Sequence, residues 1–157
     1  NVNEEIEEIY NYSNENDCQI ILPSDASVAP KLDPDINFVV KKIDGLNSSD
    51  MILDIGPVST KDLKEVISNS KTVFWNGPPG VFEVEPFNKA TIEIANHIAD
   101  LTSAGKIQSF AGGGDTVAAI EMAGVKEKFT YISTGGGALL ELLEGKQLPG
   151  LVSQNIL

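Results

Sequence analysis

The sequence predicts an α/β fold built on a parallel sheet covered by helices on both faces. Short apolar runs of four or five residues alternate with stretches of helical periodicity, and each run passes into its helix through a short loop rich in Gly and Pro. At 157 residues, of which 41% are hydrophobic and 22% charged, the chain has the size and composition of one globular domain.

Residues 3 to 15 read as a polar helix ending in the Asn14-Glu15-Asn16-Asp17 turn, and Gln19-Ile20-Ile21-Leu22 reads as a short buried strand closed by Pro23. Pro30, Asp33 and Pro34 break the next stretch, after which Phe38-Val39-Val40-Lys41-Lys42 suggests a small β excursion outside the main sheet, near residues 36–48. From residue 51 the alternation is regular. Met51-Ile52-Leu53-Asp54-Ile55 is an apolar run, Gly56-Pro57 turns the chain, and Ser59 or Thr60 caps a helix running to about Asn69. Three more such units follow. Thr72-Val73-Phe74-Trp75 leads through Asn76-Gly77-Pro78-Pro79-Gly80 to a helix from about Pro86 to Ser103. Ile107-Gln108-Ser109-Phe110 leads through a triple glycine to a helix near 115–123. Phe129-Thr130-Tyr131-Ile132 leads through a second triple glycine to a helix near 138–144, which Gly145 closes.

The long helix supports this reading, because Phe87, Ala90, Ile94, Ala95, Ile98 and Leu101 recur at three- and four-residue spacing and form one apolar stripe. His97 lies off the stripe, where a histidine is ordinarily solvated. Cys18 is the only cysteine, so no internal disulfide can form, and its apolar neighbours suggest a small buried thiol.

Eleven lysines, no arginine and 23 acidic residues give a net charge of −12. That charge repels nucleic-acid backbones and anionic membranes, so neither is expected as a partner. No apolar stretch approaches the ~20 residues that span a bilayer, and the acidic first residues do not resemble a signal peptide; a soluble cytoplasmic protein is expected. A phosphate site in so acidic a chain must rely on backbone N–H groups, on magnesium, or on cations outside these residues.

In a parallel sheet the loops leaving the carboxyl ends of the strands gather on one edge, where ligands bind. Four loops are expected there: Asp54 to Pro57, Asn76 to Gly80, Gly112 to Thr116, and Ser133 to Gly137. Glycine lets the backbone approach a phosphate closely, and the helix that follows aims free N–H groups and its positive dipole end at the anion. The chain contains neither Gly-x-x-x-x-Gly-Lys-Ser/Thr nor Gly-x-Gly-x-x-Gly, so the Walker and dinucleotide readings drop. One triple glycine is weak evidence, since it also serves as a tight turn; two on one edge of a small domain favour an anion site. Asp115 stands where a carboxylate at the mouth of such a loop would hold magnesium, and it would serve equally as a helix cap. Of Glu83 and Glu85, only one can face a ligand if the backbone there is extended.

Three segments together resemble phosphoglycerate kinases: Trp75 to Glu83 (WNGPPGVFE), Gly112-Gly113-Gly114-Asp115-Thr116, and Ser133 to Ala138 continuing through Leu140 to Lys146. Their order and spacing match that family. Weaker similarity extends from Ile21 to Asp25, through Asp54 to Pro57, to Leu148-Pro149-Gly150, so the resemblance covers nearly the whole chain. It implies reversible phosphoryl transfer between 1,3-bisphosphoglycerate and ADP, giving ATP and 3-phosphoglycerate, with Mg2+ on the nucleotide phosphates. In that family two domains close on a hinge, and residues 1–157 resemble part of the carboxy-terminal, nucleotide-binding one. The fold implied is a Rossmann-like three-layer sheet lacking its first strands. By position, Asp115 would support the magnesium nucleotide together with Gly112, Gly113 and Gly114, and Thr116 and Asn76 would contact its phosphates. Glu83 would bind the ribose hydroxyls, and Pro78 and Val81 would line the adenine side. Gly135, Gly136 and Gly137 would offer N–H groups to the phosphoryl group in flight.

The departures from the family are equally specific. Its basic glycerate-binding domain and its phosphate-binding lysine have no counterpart here, which accounts for the lack of cations. Ile52 stands where many relatives have a glycine that admits adenine. The expectation is therefore a nucleotide half-site that does not turn over alone; the alternative is an inactive nucleotide-binding or scaffold fragment derived from that kinase. Full-length members are usually monomeric, whereas a sheet lacking its inner strands has an open edge that invites self-association.

Overall fold

The computed structural model describes residues 2–153, and it sorts the apolar runs into strands according to which of them find partners. Helix α1 (Val2–Glu15) comes first and closes through Asp17, whose φ of 50° lets the Cys18 N–H reach back to the Ser13 carbonyl at 2.9 Å. The expected strand at Gln19–Leu22 does not form: these residues lie outside every strand, and Leu22 is 66% exposed. The strand is instead β1 (Asp25–Ala29), buried at all five positions although two are polar. It forms there because it has an edge on either side, pairing antiparallel with β2 (Val39–Lys42) and with β3 (Met51–Ile55). The β excursion near residues 36–48 is thus present as β2. The run at Met51 is a strand as well, but it belongs to this antiparallel sheet and not to the parallel one. Cys18, expected to be buried, is exposed.

The parallel sheet has the order β4 (Thr72–Asn76), β5 (Gln108–Gly112), β6 (Tyr131–Ile132). Around it lie α2 (Pro57–Asn69), α3 (Lys89–Ser103), α4 (Gly114–Met122) and α5 (Gly137–Leu143), with a short α6 (Pro149–Val152) at the end. The mixed α/β architecture with a parallel sheet and packed helices is the one the sequence predicts. Helix α3 starts at Lys89, three residues later than expected, because Val84 and Phe87 close successive turns with their N–H groups on the carbonyls of Val81 and Val84. Its stripe is the core: Ile94, Ala95, Ile98 and Ala99 pack with Trp75, Ile107, Ala111, Ile120 and Phe129, and the Trp75 and Phe129 rings stack at 6.3 Å. Burying an aliphatic side chain contributes about 1.5–3 kcal/mol, so this one stripe fixes α3 against the sheet. His97 is not simply solvated: its Nε2 lies 2.8 Å from Ser68 Oγ and 3.0 Å from the Lys64 carbonyl, joining α3 to α2. Helix α5 ends as expected, with Gly145 at φ 79° and the N–H groups of Gly145 and Lys146 on the carbonyls of Leu142 and Glu141. No helix among the described residues is long and apolar enough to cross a membrane.

Candidate functional site

Register places three loops side by side. Asn76 pairs with Gly112 and Ala111 with Ile132, while the Ser133 N–H donates to the Ala111 carbonyl at 2.8 Å, so β4, β5 and β6 release their chains at one level. The β5 and β6 loops line one open crevice of about 270 Å3, walled by Gly113, Gly114, Val117, Ala118, Glu121, Ser133, Thr134 and Gly136. That volume falls just below the ~300 Å3 at which pockets begin to enclose whole organic ligands, and suits a phosphate chain better than a complete nucleotide.

Local contacts fix the loops around the crevice. Gly113 has φ 92°, and a Cβ there would come within 2.7 Å of Asn76 Oδ1, so only glycine admits the Asn76 side chain alongside. Gly77 (φ 89°) turns its N–H onto Thr116 Oγ1 at 2.7 Å, and Trp75 Nε1 donates to the Gly77 carbonyl at 2.8 Å. Thr116 is almost wholly buried, and its hydroxyl ties the β4 loop to the start of α4. Gly136 has φ 55°, and the Gly135 N–H is held by Ser133 Oγ at 3.2 Å.

The helix starts differ in whether an anion can reach them. At α2 the place is taken: Asp25, buried on β1, accepts the N–H groups of Val58 and Ser59 at 3.1 and 2.8 Å and the Ser59 hydroxyl at 2.6 Å. Burial alone raises the pKa of Asp25, but the Ser59 hydroxyl and these N–H groups outweigh it and hold the carboxyl below its ordinary value. Gly56 is glycine because a Cβ would collide with this carboxylate. Helix α2 is therefore capped by Asp25 and not by Ser59 or Thr60, and the Asp54–Pro57 loop is not an anion site. At α3, Asp54 Oδ2 accepts the Ala90 N–H at 3.0 Å. Of α2, α3 and α4, it is α4, with Gly113 at its N-cap and no side chain capping it, that presents an open start.

Asp115 follows one residue inside that start and is exposed. It is not the N-cap, so its cap role is not realised, and it adjoins Gly114 of the crevice wall without lining the crevice itself. No group of three or more His, Cys, Asp or Glu able to hold a metal exists among the described residues. A magnesium ion held by Asp115 would thus take its remaining ligands from phosphate oxygens and water, a donor set that suits this ion. Gly112 is buried at the end of β5, while Gly114 and Gly137 are exposed at the starts of α4 and α5.

The other expected contacts lie off the crevice. Val81 donates its N–H to the Leu53 carbonyl at 2.8 Å and packs with Ala29, Leu53 and Phe87. Pro78 is half-buried. Glu83 and Glu85 are both exposed, because the chain turns between Val81 and Phe87 and does not run extended. Sequence reasoning missed Glu121 as a wall residue, although Gly114, Val117, Ala118 and Glu121 follow helical spacing along one face. Its carboxylate is paired with Lys126 at 2.6 Å. None of the wall residues is cationic.

A model of the family described as phosphoglycerate kinase matches residues 1–146. The chain belongs to the phosphoglycerate kinase family. It is similar to the phosphoglycerate kinase of Caulobacter vibrioides, with 49% identity over 136 residues that span 87% of this chain and 34% of that protein. The Zymomonas mobilis phosphoglycerate kinase is 51% identical over 136 residues, spanning 85% and 34%. Among solved structures, Coxiella burnetii phosphoglycerate kinase superposes with a TM-score of 0.84 at 36% identity, covering 91% of this chain and 36% of that one. Pyrococcus horikoshii phosphoglycerate kinase gives 0.77 at 30% identity, covering 99% and 37%. The chain therefore spans about a third of the length of the phosphoglycerate kinases it matches.

Proposed function

We propose that residues 1–157 form part of the nucleotide-binding domain of a phosphoglycerate kinase and supply the Mg-nucleotide side of phosphoryl transfer between 1,3-bisphosphoglycerate and ADP. The observation that carries this reading is the crevice between two glycine loops on adjacent parallel strands, next to the uncapped start of α4. The N–H groups at Gly114 to Thr116 meet the nucleotide phosphates, and Asp115 is the carboxylate that Mg2+ requires, the ion supplying charge neutralisation between the phosphates when bound. Gly136 and Gly137 direct N–H groups at the phosphoryl group in transfer, while the Gly135 N–H is engaged by Ser133 Oγ. Positioning and charge stabilisation suffice for a reaction with so little covalent demand. Asn76 orders the rim, and Pro78, Val81 and Glu83 take the base and ribose on the far side of the β4 loop.

With no cation in the crevice wall, these residues alone bind nucleotide weakly and do not turn over. The glycerate substrate and the missing positive charge come from the remainder of a full-length enzyme. An assay of ATP-dependent phosphorylation of 3-phosphoglycerate by the 157-residue chain, with and without the complementary part of a relative, tests this. The expected result is activity in the mixture alone; catalytic turnover by the chain alone contradicts it. β4 has one paired edge and presents Phe74 at 41% exposure, which supports self-association of the isolated chain.

A further inference from the structure

The nucleotide reading uses the front of the Asn76–Gly80 loop and leaves its back unexplained. Behind that loop stands Asp54, 2% exposed, near the end of β3. Its Oδ1 accepts the Ile55 N–H at 2.9 Å and its Oδ2 accepts the Ala90 N–H at 3.0 Å, in the first turn of α3. Gly80 lies directly against the same carboxylate: a Cβ built on Gly80 would overlap Asp54 Oδ1 and the Phe87 carbonyl oxygen. One residue further on, the Val81 N–H bonds to the carbonyl of Leu53 at 2.8 Å. The end of the loop is thus pressed onto Leu53 and Asp54, while its beginning is tied to α4 through Gly77 and Thr116.

We infer that Asp54 is a positioning residue for nucleotide binding: its buried carboxylate fixes the start of α3 and the back of Gly80, and through them the Asn76–Gly80 loop, whose Gly77 N–H is bonded to Thr116 in the first turn of α4. This rests on the reading of the crevice as the nucleotide site. Two N–H groups converge on two oxygens with almost no access to water, and only a carboxylate offers two acceptors there. Protonation, or replacement by Asn, turns one acceptor into a donor facing an N–H, and one of the two anchors must move. The small cavity beside Asp54, about 120 Å3, gives it room to do so. The charged groups that face Asp54 across this cavity are Glu93 and Lys89, both on α3. Burial first, with Glu93 adding to it against the pull of the Ala90 and Ile55 N–H groups, pushes the Asp54 pKa up to about 6. The switch of this clamp therefore lies within reach of mild acid.

The test reads the loop directly. Trp75 is the only tryptophan, and its indole N–H holds the Gly77 carbonyl, so its emission reports the loop whether or not nucleotide binds. In the 157-residue chain, Trp75 emission and the amide exchange of Gly77 and Gly80 are followed from about pH 7.5 to 5, together with Mg-ADP affinity, for the unaltered chain and Asp54→Asn. The expected result is a sigmoidal change in emission with a midpoint near 6 that Asp54→Asn abolishes. Loop amides exchange faster in Asp54→Asn, and Mg-ADP affinity about tenfold weaker at neutral pH converges with that of the unaltered chain in acid. Loop signals indifferent both to pH and to the substitution overturn the inference. Should Asp54→Asn fail to fold, the titration of the unaltered chain decides alone. Loop signals that respond while Mg-ADP binds to neither protein uphold the clamp and count against the nucleotide reading instead.

Discussion

Asp25→Ala removes the carboxylate that occupies the start of α2. Three hydrogen bonds to that carboxylate disappear, from Val58 N–H, Ser59 N–H and the Ser59 hydroxyl. Val58 is exposed and its N–H can turn to water, whereas Ser59 is 7% exposed and keeps an unpaired N–H in the interior. A hydrogen bond to a charged group contributes about 1.5–3 kcal/mol and a buried orphan donor costs about 1–3 kcal/mol, so with partial rehydration the loss comes to about 3 kcal/mol. Urea unfolding of the two proteins at about pH 7.5 measures it. Because the folded-state pKa of Asp25 is lowered, its stabilisation is present above the unfolded value of 3.8 and lost as pH falls through the folded value. The gap between the two proteins should therefore narrow in acid. Mg-ADP affinity should not improve, since an emptied α2 start is not part of the crevice. A loss below about 1 kcal/mol, or one that grows in acid, would refute the assignment of Asp25 as the cap.

Asp54 carries the opposite sign: with its pKa raised from 3.8 to about 6, its contribution is present in acid and lost as pH rises through the folded value. The unaltered chain should gain about 1.4 kcal/mol from this residue between about pH 7.5 and pH 5, read as the excess of its unfolding free-energy change over that of Asp54→Asn. Gly80→Ala should lose about 1–3 kcal/mol by overlap with Asp54 and the Phe87 carbonyl, measured by urea unfolding; a neutral result contradicts the close packing there. Asp115→Asn should abolish about a tenfold enhancement of ADP affinity by Mg2+ while leaving metal-free ADP binding unchanged in calorimetric titration; an undiminished Mg2+ effect removes Asp115 as the ligand.

The parallel βα units were legible because their determinants are local. An apolar run followed by glycines and then by the stripe through Ala90, Ile94 and Ile98 marks strand, loop and helix within about 30 residues. The two glycine loops were found for the same reason, and β-sheet register then brought them to one crevice. Residues whose role depends on distant partners were not legible. Ile20-Ile21-Leu22 is more apolar than Asp25–Ala29, yet the latter is the buried strand because β2 and β3 flank it. Asp25 and Asp54 cap helices 34 and 36 residues away, so no Ser or Thr beside the helix start could reveal them. His97 read as solvated because its partners, Ser68 and Lys64, come from another helix. Cys18 read as buried from its apolar neighbours, although the segment that follows it finds no strand to join.

Backbone amide shifts during titration with Mg-ADP test the central claim most directly. The account predicts the largest changes at Gly113 to Thr116 and Thr134 to Gly137, smaller ones at Asn76 and Gly77, and none at Val58 and Ser59, whose N–H groups Asp25 already holds. Changes centred on the start of α2, or none at millimolar nucleotide, would contradict it.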